Sequence, residues 1–260
     1  MDISVIKSRL SALQNPRGGQ KKDLSQTIWR PGVGKHSVRI VPSVFNKQNP
    51  FKEVYMHYGI NNRSMMALTN FGEKDPIVEF AQGLRKSSEK DNWQLAKKLE
   101  PKMRVFAPVI VRGEEDKGVR LWEFGKQVYM DLLSIAEDED VGDYTDPIQG
   151  RDITVETAGK ETTGLMYNTS TVRVRTKSTP LSEDGDKVKQ WLDNQPDPLT
   201  QFKRYSYDEM KEALLKHLNP EEDIKEQADQ VVSKQPESSQ YTLSTTKPSV
   251  DSAIDDLFDI

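Results

Sequence analysis

The chain has 260 residues, 35% of them hydrophobic, with no cysteine and three histidines. That excludes disulfides and cysteine-ligated metal, and it leaves part of the chain outside any core. The net charge of −4 conceals a polarity: residues 1–126 carry 23 Lys and Arg against 13 Asp and Glu (+10), residues 127–180 carry 5 against 10 (−5), and residues 181–260 carry 9 against 18 (−9). No run reaches the roughly 18 apolar residues of a membrane span, and the N-terminus lacks the apolar stretch of a signal peptide. A cytoplasmic protein with no membrane partner is expected, and its basic front suits a polyanion.

Residues 3–13 place Ile3, Ile6, Leu10 and Leu13 at helical spacing beside Lys7, Ser8 and Arg9. The spacing predicts a short amphipathic helix, marginal on its own. A basic linker, NPRGGQKKD, follows. PGVGKHS (31–37) invites a phosphate-loop reading, but Trp29 stands where that motif needs glycine and His36 where it needs Ser or Thr. HSVRIV (36–41) and EVYMHYG (53–59) read as strands. Residues 75–99 read as two helical pieces, with Asp75-Pro76 starting the first and Asp91 capping the second.

RVFAPVIVRGEEDKGVRLWEFGK (104–126) reads as two strands around a charged turn. Period-two alternation puts Val105, Ala107, Val109 and Val111 on one face of the first strand and Arg104, Phe106, Pro108, Ile110 and Arg112 on the other. In the second, Val119 and Leu121 oppose Arg120, Trp122, Phe124 and Lys126. A helix over KQVYMDLLSIAE and an acidic loop come next, then strands DITVETA (152–158) and TVRVRTK (171–177). In the last, Val172 and Val174 oppose Arg173, Arg175 and Lys177. Ser206 and Glu209 form a capping box for YDEMKEALLKHL, and Asn219-Pro220 can start another helix. Beyond about residue 234 a Ser, Thr, Gln and Pro composition predicts a disordered linker. It delivers the acidic, apolar tip DSAIDDLFDI.

The three histidines lie far apart, and Glu137–Asp140 lacks the ligand periodicity of a calcium loop, so no metal or cofactor is expected. No nucleophile–base signature stands out, and catalysis is not expected. The basic and aromatic strand faces have the chemistry of single-stranded nucleic-acid binding, in which cations track phosphates and rings stack on bases. A second packing fits the same pattern, with Trp122 and Phe124 under a helix and the arginines snorkelling out.

In their order and spacing, Lys7-Ser8-Arg9 with Ser11, SVRIVPS (37–43), RVFAPVIV (104–111), EFGK (123–126), PIQG (147–150) and the closing IDDLFDI resemble the single-stranded-DNA-binding, helix-destabilising protein of T-even-type bacteriophages. The resemblance implies a mixed β fold with peripheral helices: an OB-fold core over 20–233, a basic arm over 1–19 for cooperative self-assembly through Lys7, Ser8 and Arg9, and a disordered acidic tail over 234–260. It implies cooperative, sequence-independent binding of single-stranded DNA in replication, recombination and repair. The tail would recruit replication and recombination proteins through Asp255, Asp256, Leu257, Phe258, Asp259 and Ile260. Trp122 falls where the family has a DNA-facing tyrosine, Phe106 replaces a tryptophan, Tyr167 lies near a further tyrosine, and Lys102 falls in an internal basic cluster. With the strand residues, the DNA-binding set is Lys102, Arg104, Phe106, Arg112, Arg120, Trp122, Phe124, Lys126, Tyr167, Arg173, Arg175 and Lys177. The family prototype holds zinc with three cysteines and a histidine. Here FGEKDPIVEF (71–80) spans that place, Asp75 and Val78 stand where a Cys-x-x-Cys pair would, and packing by Phe71, Ile77, Val78 and Phe80 is expected instead. An RNA-binding regulator, and a nuclease built on the acidic loop, are the competing readings.

Overall fold

The computed structural model describes residues 24–219. The self-assembly residues Lys7, Ser8 and Arg9 and the tail residues Asp255, Asp256, Leu257, Phe258, Asp259 and Ile260 lie outside them. The strands are β1 (Ile28–Trp29), β2 (Gly34–Ile40), β3 (Lys52–Ile60), β4 (Arg63–Met66), β5 (Lys102–Val111), β6 (Arg120–Phe124), β7 (Arg151–Ala158) and β8 (Thr169–Ser178). The helices are α1 (Pro76–Lys86), α2 (Lys90–Leu99), α3 (Lys126–Ala136), α4 (Lys160–Thr163), α5 (Gly185–Asp193) and α6 (Tyr207–Leu218). The fold is thus a mixed β-sheet with helices, and its chain divides into two compact units. Among the described residues no helix is long and apolar enough to cross a membrane.

The first unit takes residues 24–50, 107–123 and 130–196 of the described chain. Its strands run in the order β1-β6-β5-β2-β7-β8, with β1 parallel to β6 and β2, β7 and β8 pairing antiparallel. Directly paired residues share a face. Val111 faces Val38, Val38 faces Ile153, and Ile153 faces Val174, so one apolar row crosses four strands. The neighbouring rows, Ser37–Thr154–Arg173 and Lys35–Glu156–Thr171, put polar side chains on the opposite face. Further along the sheet, α5 lays Trp191 against Val41, Ile110 and Leu181, with Val188 and Leu192 beside it. Positions 188, 191 and 192 form one helical stripe. Asp184 starts this helix by accepting from the backbone N–H groups of Asp186 and Lys187.

The second unit takes residues 51–106, 124–129 and 197–219. β3 pairs with the first half of β5 and with β4. The β3–β4 turn is Asn61-Asn62, at φ 46° and 57°. Two successive left-handed residues match the twist of a tight hairpin, and asparagine tolerates that conformation. Helices α1, α2 and α6 enclose a core of Ile77, Phe80, Leu84, Ala96, Leu99, Met210 and Leu214, closed by Ile60, Met65 and Leu68. Ser206 and Glu209 form the expected capping box on α6. Asp91 does not cap α2: Glu89 holds the cap position without a side-chain bond to the helix backbone, and Asp91 lies in the first turn, where its charge suits the helix dipole.

Asp75 does more than cap α1. Its Oδ1 accepts from Ile77 N (3.0 Å) and Val78 N (3.2 Å), while Oδ2 accepts from Leu68 N (2.8 Å) and meets His57 Nε2 at 3.2 Å. The other His57 nitrogen, Nδ1, lies 2.8 Å from the Leu99 carbonyl. A carbonyl only accepts, so Nδ1 carries a proton and donates it. Both side chains are buried. The segment over 71–80 is therefore organised by a polar hub as well as by apolar packing: Ile77 and Phe80 are buried, while Val78 and Phe71 are half-buried. These residues do not fit the prototype's zinc, and among the described residues no group of three or more His, Cys, Asp or Glu is placed to hold a metal ion.

Candidate nucleic-acid interface

The open basic and aromatic face expected on β5 and β6 is not what the structure places there. Trp122 is 0% exposed and meets Trp29 edge-to-face at 5.8 Å. Phe106 is buried against Phe202 (5.7 Å), and Phe124 against Phe51 (6.1 Å). Rings enclosed this way have no free face for a base. The correction has a simple cause: β6 lies between β1 and β5, β5 is itself paired with β6, β2 and β3, and a central strand covered on both faces is apolar on both. Alternation assigned the sides, and both sides are core.

Two arginines of the same set are held by carboxylates. Arg112 grips Asp152 through Nε (3.2 Å) and Nη2 (2.9 Å) and donates Nη1 to the Leu181 carbonyl (2.9 Å). Arg120 is buried and donates Nη2 to Glu114 at 2.7 Å. Lys117 bonds the same carboxylate, and the two cations hold Glu114 below the usual carboxylate range. Asp152 also faces Arg39, which is fully buried and bonds the carbonyl of Thr179. Burial pushes the Arg39 guanidinium down, and Asp152 opposes that shift. Arg112 and Arg120 therefore secure the fold before they are available to any ligand.

Four exposed members of the set, Tyr167, Arg173, Arg175 and Lys177, gather on the β7–β8 hairpin of the first unit. β8 is the edge strand. Arg173 is exposed between the half-buried Val172 and Val174, as alternation predicts. Beyond Val174 the pairing shifts register, because Arg151 pairs with Ser178 and Ile153 with Val174. The longer path on β8 leaves Arg175, Thr176, Lys177 and Ser178 all exposed, and Arg151 bridges the bulge by donating to the Thr176 carbonyl (2.9 Å). On the polar face Thr154, Glu156, Thr171 and Arg173, with Val172 between the last two, line a depression of about 210 Å³. Lys35 of β2, which sequence reasoning missed, pairs with Glu156 in register and is exposed. Tyr167 precedes β8 and is 66% exposed, with Leu165 and Met166 exposed beside it. The hairpin thus combines phosphate-seeking cations with an accessible aromatic ring.

In the second unit, Lys102 is exposed and donates to the carbonyl of Lys97 (3.0 Å). Arg104 is half-buried, and its Nη1 would lie 3.4 Å from a side-chain carbon placed on Gly125. Lys126 is exposed at the start of α3. Tyr55 and Tyr58 of β3 also stand exposed. As sequence, EVYMHYG reads only as a strand. The signal available for these two rings was aromatic residues spaced along it.

The acidic loop is internally organised: Asp138 Oδ1 accepts from Asp140 N (3.0 Å), and Asp143 Oδ1 accepts from Thr145 N (2.8 Å). A family model described as gp32 DNA binding protein like matches residues 32–220. A search of curated proteins finds no match.

Proposed function

Because the chain belongs to the gp32 DNA-binding-protein-like family, we propose that it binds single-stranded DNA without sequence preference and without catalysis. The family match carries this reading, since residues 32–220 include most of both units. The β7–β8 hairpin and the neighbouring strand β2 support it, with Arg173, Arg175 and Lys177 of the hairpin and Lys35 of β2 for phosphates and Tyr167 for a base. Lys102, Arg104 and Lys126 supply further positive charge. The finer readings rest on the resemblance and on charge: an OB-fold core over 20–233, cooperative assembly through the arm, service in replication, recombination and repair, and recruitment of partners by the tail.

The test is a titration of the full chain with labelled single-stranded DNA, duplex DNA and RNA at several salt concentrations. Log affinity for single strands should fall against log salt by about 0.7 per phosphate neutralised. Replacing Arg173, Arg175 and Lys177 together by Gln should flatten that slope. Preference for duplex, or affinity indifferent to salt, would remove the proposal, and stronger competition by RNA than by DNA would turn it into an RNA-binding reading.

A further inference from the structure

Helix α2 carries a second basic and aromatic surface, in the second unit, that none of the residues above includes. The helix buries Asn92, Ala96 and Leu99. Its opposite stripe is Lys90, Trp93 and Lys97, at i, i+3 and i+7, and all three are exposed. The chain has four tryptophans. Trp29, Trp122 and Trp191 are buried, whereas Trp93 is 46% exposed.

The ring is held in a defined setting. Arg85, in the last turn of α1, places its guanidinium 4.8 Å from the Trp93 ring centroid, and Lys97 Nζ lies 5.8 Å from it. Arg85 is itself oriented by Glu100, which accepts from its Nε at 2.5 Å. Glu89 is drawn to the amide of Asn92 (3.2 Å). Over residues 85–104 the chain carries seven Lys and Arg against three Asp and Glu, so these acids leave the patch positive. A cation on an exposed ring contributes little to folding, and the indole is not among the side chains packed on the core that α2 helps enclose. The arrangement instead matches what binds a single strand: a cation-backed aromatic platform flanked by lysines.

We infer that Trp93, backed by Arg85 and flanked by Lys90 and Lys97, is a further contact for single-stranded nucleic acid, taking one base on the indole and adjacent phosphates on the lysines. This rests on the reading of the protein as a single-strand binder. The occupant follows from charge complementarity: the patch is positive, and the ligand is a polyanion with a ring at every residue. The acidic tip of this chain is the other candidate by charge, and the test separates the two.

Because the other three tryptophans are buried, iodide quenching of tryptophan emission reports on Trp93. Saturating oligothymidylate should shield that emission in the full chain. Trp93→Ala should weaken binding of labelled oligothymidylate, read by anisotropy, on the order of tenfold, which is within what one base stack supplies. Trp93→Phe should restore most of the loss, and Lys90→Gln with Lys97→Gln should lower the salt slope by about 0.7 for each phosphate no longer neutralised. Wild-type binding that survives Trp93→Ala with unchanged affinity and slope overturns the inference and leaves the proposed function standing. Absence of wild-type binding to any single strand overturns the proposed function itself. Iodide access that rises without DNA when residues 251–260 are removed assigns the patch to the tail and also overturns the inference.

Discussion

At the scale of single residues, burial decides what each charge does. Asp75 is pushed up by its own burial, but His57 and the N–H groups of Leu68 and Val78 outweigh that and hold its carboxyl below the usual carboxylate range. A carboxyl depressed on folding stabilises the protein above its unfolded value, near 3.9. That contribution is lost as pH falls through the lower folded value. Asp75→Ala removes the cap of α1, the partner of Leu68 N and the buried partner of His57 Nε2 at once. Breaking one side of a buried pair typically destabilises by about 3–5 kcal/mol. Urea unfolding at neutral pH should show a loss of that order. As pH falls below about 4, wild type should lose stability more steeply than the variant. Parallel pH profiles for the two proteins would show that Asp75 does not titrate with folding. The hub is not legible in the sequence: Asp75 reads there as a cap, and nothing in a one-dimensional pattern brings His57, 18 positions away, onto its second oxygen.

At the scale of elements, the readable parts are those with a local physical cause. The capping box at Ser206 and Glu209, the start of α1 at Asp75-Pro76 and the alternation of Val172, Arg173 and Val174 all depend on neighbours within four residues, and the structure contains all three. Four elements escape a sequence reading: β1, with two residues, α4, with four, α5, whose apolar stripe is only Val188, Trp191 and Leu192, and β4. The last is announced by Asn61-Asn62, a turn signal weaker than Asn-Gly. The burial of Trp122 and Phe106 is illegible for another reason: period two separates the faces of a strand but does not say whether either meets water. The hairpin offers a clean test. Asn62 sits at φ 57°, where a β-branched side chain is strained. Asn62→Val should lower stability by roughly 1–3 kcal/mol in a urea melt, whereas Asn62→Gly should be close to neutral. Equal stability of all three proteins would mean the turn does not hold that geometry in solution.

At the scale of the whole molecule, charge runs from +10 over residues 1–126 to −9 over residues 181–260. The family's ligand is a polyanion, so the acidic end is expected to compete with DNA for the same cations. Asp251, Asp255, Asp256 and Asp259 cluster in the last ten residues, and a flexible tether would give them an effective concentration of roughly millimolar near the rest of the chain. A contact too weak to form between separate molecules becomes significant under that condition. Leu257, Phe258 and Ile260 lie among these aspartates. A tail that only repelled DNA needs no apolar residues, whereas one that passes to a partner protein when DNA displaces it can anchor there through them. Removing residues 251–260 should tighten binding of single-stranded DNA at low salt. The gain should fade as ionic strength rises, because exposed charges are screened beyond about 10 Å at 0.1 M salt. Phe258→Ala with Leu257→Ala keeps every aspartate and should leave DNA affinity within about twofold of wild type (~0.4 kcal/mol). Truncation without effect at low salt would show that the acidic end does not compete. A double substitution that tightened binding as much as truncation would show that the apolar residues, and not the aspartates, hold the tail to the basic surface.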